Sequence, residues 1–168
     1  MIENDRIILR AVEPDDVQRL YEWENDRPTV FDAPLSLQNI TDYVMNYRAD
    51  IWADGQLRLM IVDRASGETV GCVDLYSLSV NDRRAGTGIY IAAPCRGRGL
   101  ASAAVEAVAE YASRRLGLHQ LWATCAVGNE ASRRLFAGRG FRPAGRLRSF
   151  IRRGQTYEDV LIMQRLFP

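Results

Sequence analysis

An α/β fold built on a mixed sheet is what this sequence predicts, and three observations predict it. Short apolar runs of strand length recur along the chain, helical periodicity appears both before and between them, and the resulting order matches no simple repeat. One strand, two helices, three strands, helix, strand, helix and two strands is neither a regular βαβ alternation nor an all-β pattern.

Ile7, Ile8 and Leu9 form a first strand. Pro14 with Asp15 and Asp16 reads as a helix start, because proline and acids are favoured in a first turn, and Val17, Leu20, Tyr21 and Glu24 then share one face. Asp26-Arg27-Pro28 interrupts that helix, and Ser36 caps a second one whose apolar positions Ile40, Tyr43, Val44 and Tyr47 keep the helical period. Leu57 to Val62 and Thr69 to Leu78 read as two strands of a hairpin turning at Ala65-Ser66-Gly67. Asn81-Asp82 makes the next turn, and Gly88 to Ala92 is a further apolar strand that ends at Pro94. From Gly99 a helix places Leu100, Ala103, Ala104, Ala107, Val108, Tyr111 and Ala112 on one face, the cleanest periodicity in the chain. Gly117 stops it, Leu121 to Ala126 is a strand, Asn129 caps a helix ending near Gly138 or Gly140, and two terminal strands turn at Arg153-Gly154. With no internal repeat or linker, residues 1–168 are expected to form one domain.

The balance of 22 Lys and Arg against 21 Asp and Glu leaves no basic excess to hold a phosphate backbone or an anionic membrane, so nucleic acid and membrane are not expected partners. The polar start Met1-Ile2-Glu3-Asn4-Asp5-Arg6 lacks the pattern of a signal peptide, and a cytoplasmic location is expected. Cys72, Cys95 and Cys125 lie too far apart for metal-ligand spacing and read as buried or incidental thiols, so no metal is expected. His119, the single histidine, has no Ser or Cys motif to serve and reads as a loop or strand-edge residue.

The chemistry concentrates in Arg96-Gly97-Arg98-Gly99-Leu100-Ala101, where a strand turns directly into a helix. Glycines let a backbone approach a ligand closely, the first helical N–H groups lack internal partners, and the helix dipole favours an anion there. Arg96 and Arg98 add charge, so the turn can cradle a pyrophosphate. Gly97-x-Gly99-x-x-Ser102 superficially matches a dinucleotide fingerprint, but hairpins precede it and no acid ends the next strand. A Walker loop is excluded because the chain has no Gly-Lys-Ser/Thr.

Arg96-x-x-Gly99-x-Ala101, with Asn129-Glu130-Ala131-Ser132, Phe136 and Gly140-Phe141 after it, resembles the acetyl-CoA site of the GNAT superfamily of N-acetyltransferases. Ile8-Leu9-Arg10-Ala11, Tyr21-Glu22-Trp23-Glu24-Asn25-Asp26 and Gly71 resemble its branch of spermidine and ribosomal-protein alanine N-acetyltransferases. The resemblance implies a GNAT-like, mostly antiparallel sheet with splayed central strands and flanking helices. It also implies acetyl transfer to an amine, small molecule or protein N-terminus, by direct attack in a ternary complex, and it allows a homodimer. The backbone from Arg96 through Gly97, Arg98, Gly99 and Leu100 to Ala101 is then expected to hold the pyrophosphate of acetyl-CoA. Ile91 is expected to pair with the pantetheine arm and, through a backbone N–H, to polarise the thioester carbonyl. Asn129, with Ser132 and Phe136 beside it, is expected on the same cosubstrate.

Two positions depart from the family pattern. Phe136 stands where many members carry a tyrosine that protonates the departing thiolate, and Gly86 stands where relatives in this branch often carry a glutamate. Tyr90 or a water is the expected substitute donor. An alkylamine with a pKa near ~10.4 is only about 0.1% free base at pH 7, so a base is wanted. Glu24 and Asp74 are the leading candidates and Asp82 a third, with Asp26 and Asp32 adding negative potential. Trp23, Tyr47 and Trp52 read first as core aromatics, and Arg146, Arg148, Arg152 and Arg153 as a solvated face. The departures leave a second reading open, a catalytically weak acetyl-CoA-binding or sensing protein on the same fold.

Overall fold

Alternating burial along Leu57-Arg58-Leu59-Met60-Ile61 gives the sheet two apolar faces, and the helices divide between them. The computed structural model describes residues 2–26 and 34–168. Among these, eight strands form one sheet: β1 (Ile2–Glu3), β2 (Ile7–Ala11), β3 (Leu57–Asp63), β4 (Thr69–Ser79), β5 (Arg84–Ile91), β6 (Gln120–Ala126), β7 (Arg142–Arg153) and β8 (Thr156–Leu166). Their order is β1-β2-β3-β4-β5-β6-β8-β7, and every neighbouring pair is antiparallel except β5 and β6. The helices are α1 (Val17–Asn25), α2 (Leu37–Asn46), α3 (Ile51–Asp54), α4 (Leu100–Arg114) and α5 (Glu130–Gly138).

Leu59, Ile61, Val73 and Leu75 pack on one face with Ala104 and Val108 of α4. Met60 and Cys72, one residue out of phase, pack on the other face with Leu20 and Trp23 of α1 and Ile40 and Val44 of α2. Each large side chain so buried contributes about 1.5–3 kcal/mol. The alternation therefore assigns Arg58, Asp74, Tyr76, Gly86, Gly88, Tyr90, Trp122 and Thr124 to the α1/α2 face. No helix among the described residues is long and apolar enough to cross a membrane.

The mixed sheet and flanking helices agree with the sequence reading, as do Ser36, which accepts from the Asn39 N–H at 3.0 Å, and Asn129, which accepts from the Ser132 N–H at 3.0 Å. Four differences have local causes. β1 pairs through Ile2↔Leu9 although its sequence is largely polar. α3 is a single turn, capped by Asp50 and closed by the left-handed Gly55. Tyr47 is not helical: it closes α2 in an extended conformation, and its hydroxyl donates to the Arg58 carbonyl at 3.0 Å. β5 begins at Arg84 rather than Gly88, because its polar first half finds partners in both β4 and β6. The helix break expected at Asp26-Arg27-Pro28 agrees with the end of α1 at Asn25, while Arg27, Pro28 and Asp32 lie outside the described residues. The three cysteines form no disulfide, and two arginines of the β7–β8 hairpin pair with its own acids, Arg146 with Asp159 and Arg153 with Glu158. His119 sits just before β6, where its N–H donates to the Arg83 carbonyl at 2.6 Å.

One buried charge joins helix to sheet. Asp16, with no exposed surface, accepts from both terminal nitrogens of Arg10 at 2.6 and 2.7 Å and from the Glu13 N–H at 2.9 Å. Burial pushes its carboxyl up, but Arg10 and the backbone bond outweigh that and hold it below the ordinary range. A depressed folded pKa means the contribution is complete above the unfolded value of about 4 and is lost as pH falls through the folded one. Asp16→Ala is expected to cost about 1.5–3 kcal/mol, since it removes the charge-assisted bonds from Arg10 and leaves the Glu13 N–H without its acceptor. Urea unfolding at neutral pH measures that loss, and the gap between the two proteins should narrow below pH 4.

Candidate active site

The ladder between β5 and β6 holds only Arg84↔Gln120, Ala85↔Leu121 and Gly86↔Trp122. Beyond Gly86 each strand keeps its outer partner, β5 on β4 as far as Gly71↔Ile91 and β6 on β8 as far as Ala126↔Val160. The two strands therefore diverge into a V whose apex is Gly86 and Trp122. Along β5 the Ala92 N–H donates to the Val70 carbonyl at 2.9 Å. In an antiparallel ladder that phase turns the amides and carbonyls of Ile89 and Ile91 away from β4, into the V. The Ile91 carbonyl is used there by Arg96, whose Nε donates to it at 2.9 Å.

Because β5 and β6 run parallel, both exit at the open end of the V, and each leads into a helix N-terminus. At α4, Gly97 and Gly99 both adopt φ of +75°, a conformation that costs other residues about 1–2 kcal/mol. Gly99 is the N-cap and no side chain caps the helix, so the first-turn N–H groups of Leu100 and Ala101 remain for a ligand. An anionic pyrophosphate fits this cradle. The arginines are used differently from the sequence expectation. Arg96 lies with its guanidinium 5.9 Å from the centre of the Tyr90 ring, and Arg98 is paired with Asp63 at the end of β3. A third cation beside the turn is Arg6, not singled out by sequence, with a guanidinium nitrogen 2.7 Å from where a Gly99 Cβ would stand. At α5, Asn129 spends its side-chain oxygen on the Ser132 N–H, and the Ser132 hydroxyl lies 3.4 Å from Cys125 Sγ. Phe136 is buried and packs edge-on against Phe141 at 5.0 Å, a core position rather than an open one.

On the α1/α2 face the structure brings Glu24 and Asp74 together on a residue that the sequence reading missed. Arg58 donates from Nη1 to Glu24 at 2.8 Å, and from Nε and Nη2 to the two oxygens of Asp74 at 2.7 and 2.9 Å. Burial alone would lower the pKa of Arg58, but its bonds to Asp74 raise it, so it stays charged. Burial pushes Tyr43, whose ring lies 5.8 Å from the guanidinium, up to about 12. A small cavity of about 80 Å³ opens here between Tyr43, Arg58, Asp74 and Tyr76. A wider one of about 560 Å³ lies between the end of α1 and the end of β5, with Glu22, Trp23, Asp26 and Tyr90 among its walls. Asp26 therefore lines the wider cavity beside α1. Asp82 lies in the turn before β5, on the paired side of the apex, bonded to Ser79 and Arg84. Trp52 is exposed, whereas Trp23 belongs to the α1/α2 core.

The Gly86 position has a steric cause. A Cβ on Gly86 would stand 2.4 Å from a carbon of the Tyr76 ring, which lies across β5 from β4, passes over Gly88 and meets the Trp122 ring edge-on at 5.2 Å.

Comparison with known proteins agrees with this geometry. Residues 6–142 match the family described as acetyltransferase (GNAT) domain. The chain is 26% identical over 164 residues to the Bacillus subtilis protein named "Putative ribosomal N-acetyltransferase YdaF", covering 94% of this chain and 90% of that one. It is 27% identical over 161 residues to the spermidine N(1)-acetyltransferase of Vibrio cholerae, covering 94% and 91%. The crystal structure of the spermidine N-acetyltransferase from Vibrio cholerae in complex with CoA and spermine superposes with a TM-score of 0.82 at 25% identity, covering 97% of this chain and 96% of that one.

The cradle makes a graded prediction for acetyl-CoA affinity, read by titration calorimetry. Gly99→Ala forces a side chain into the left-handed region against Arg6 and should weaken binding about tenfold or more. Arg98→Ala should weaken it by less than about threefold, because Asp63 already holds that guanidinium. A larger loss from Arg98→Ala than from Gly99→Ala would mean that Arg98 leaves Asp63 for the ligand.

Proposed function

The chain belongs to the acetyltransferase (GNAT) family, and from that premise we propose that this N-acetyltransferase passes the acetyl group of acetyl-CoA to the primary amine of a small cationic acceptor, by direct attack in a ternary complex. The observation that carries the reading is the three-residue ladder between β5 and β6, with an uncapped helix start at its open end. Amides released from a ladder need partners, and an extended pantetheine arm can supply them along Ile89 and Ile91. In this reading the turn from Arg96 to Ala101 holds the pyrophosphate, the Ile91 N–H pairs with the pantetheine arm, and the Ile89 N–H, nearer the apex, rather than that of Ile91, polarises the thioester carbonyl. Asn129 and Ser132 flank the arm from the α5 side.

The acceptor approaches from the α1/α2 face. Glu22 and Asp26 on the wall of the wider cavity, with the carboxylates of Glu24 and Asp74 beside it, attract a cation. Glu24 and Asp74 take the proton that the amine must lose, directly or through water, and Arg58 keeps both carboxylates in place. This charge pattern favours a polyamine-like acceptor, the class that the Vibrio cholerae relative is named for, over a protein N-terminus.

The test is release of CoA thiol from acetyl-CoA with a panel of polyamines, amino sugars and N-terminal peptides. Turnover should be highest with a polyamine and should rise between pH 7 and 9, because the free-base fraction of an amine with a pKa near ~10.4 grows about tenfold per unit there. Glu24→Gln and Asp74→Asn should each lower kcat/KM by about 10²-fold while leaving acetyl-CoA affinity unchanged. Binding of acetyl-CoA without turnover of any amine would favour the sensing reading instead.

A further inference from the structure

An N-acetyltransferase must release a thiolate, and neither aromatic residue named at the outset stands well placed to help. Phe136 has no hydroxyl and is buried against Phe141. Tyr90 is held toward the phosphate turn, 5.5 Å from the Trp23 ring and beneath Arg96. A different hydroxyl lies at the apex of the V.

We propose that Tyr76, carried across β5 by Gly86 and Gly88 to the rim of β6, is the hydrogen-bond donor to the departing CoA sulfur. The inference rests on the acetyltransferase reading above and adds a residue to it. Three observations support it. The Tyr76 ring occupies the space that any side chain at Gly86 would fill, with a ring carbon 2.4 Å from the Cβ position, and at Gly88 the ring lies 3.7 Å from that position. Its hydroxyl reaches the side chain of Thr124, an exposed residue two positions past the last β5–β6 pair, so the tyrosine spans the V at its narrow end. Beside it the buried Trp122 Nε1 has no acceptor among the described residues, leaving an unspent N–H in the same corner.

The position follows from the length of the slot. From Gly88 to Ile91 the open edge of β5 runs roughly 10–13 Å at about 3.3 Å per residue. An arm entering from the Arg96–Ala101 turn and running down this edge ends with its reacting carbon and sulfur at the apex, beside Tyr76. Burial raises the Tyr76 pKa, with the Thr124 contact a smaller opposing effect, so the hydroxyl keeps its proton through pH 7 to 9 and remains a donor. In the step itself the amine nitrogen bonds to the thioester carbon, the C–S bond breaks, and its electron pair stays on sulfur facing the Tyr76 hydroxyl. One proton leaves nitrogen toward Glu24 and Asp74, and one proton reaches sulfur through Tyr76 from solvent, so the exchange balances.

Tyr76→Phe is the decisive variant, because it keeps the ring that fills the Gly86 corner and removes only the hydroxyl. In single-turnover acetyl transfer with amine in excess, kcat should fall by about 10- to 100-fold, the loss of one hydrogen bond to a charged atom, with KM for acetyl-CoA and the unfolding midpoint unchanged. Tyr157→Phe, at an exposed ring on β8, should keep its rate in the same assay. If the parent turns over an amine and Tyr76→Phe stays within about twofold of it, or if Tyr90→Phe is the variant that fails, the assignment to Tyr76 is wrong and the acetyltransferase reading stands. If the parent itself turns over no amine, both fall together.

Discussion

A backbone amide that leaves its ladder must find another partner, and this protein takes amides out of the middle of its own sheet. The divergence of β5 from β6 after Gly86 and Trp122 leaves the amides of Ile89 and Ile91 turned away from β4 with no partner strand on that side. The surrounding architecture supports that opening. β4 and β8 each hold one arm of the V in register, α4 packs beneath it, and the helix that follows each arm presents its N-terminus at the wide end. A fully paired sheet would be more stable locally and would have nowhere to hold an extended ligand.

The second organising element is Arg58. It is the guanidinium through which a helix residue, Glu24, and a strand residue, Asp74, come within hydrogen-bonding distance of one group. Buried ion networks of this kind are poor sources of net stability, since desolvation offsets much of the attraction. Their value lies in geometry. Two carboxylates that would otherwise repel are fixed side by side on the α1/α2 face.

Most of the fold was legible because its signals are local. The helix period from Leu100 to Ala112, the Ser36 and Asn129 caps and the Gly154 turn each depend on a few adjacent residues. The phosphate turn was legible for the same reason, since two glycines at a strand-to-helix junction carry their meaning in sequence. What sequence hid is pairwise and distant. Arg58 looks like a stray charge in an apolar strand until the register sets it opposite Asp74, and the pairing of Arg98 with Asp63 joins residues far apart in sequence. The start of β5 was missed because Arg84-Ala85-Gly86-Thr87 owes its strand conformation to neighbours on both sides rather than to its own composition.

The contact between Tyr76 and Gly86 also bears on how such a sequence could have arisen. With a tyrosine at position 76, no side chain larger than hydrogen fits at position 86, and with a larger side chain at 86 the tyrosine cannot lie flat across β5. The two positions are thus a single heritable unit. A side chain introduced at 86 must displace the phenol, so any substitution there is felt at 76, and the conformation of one position is inherited with the identity of the other.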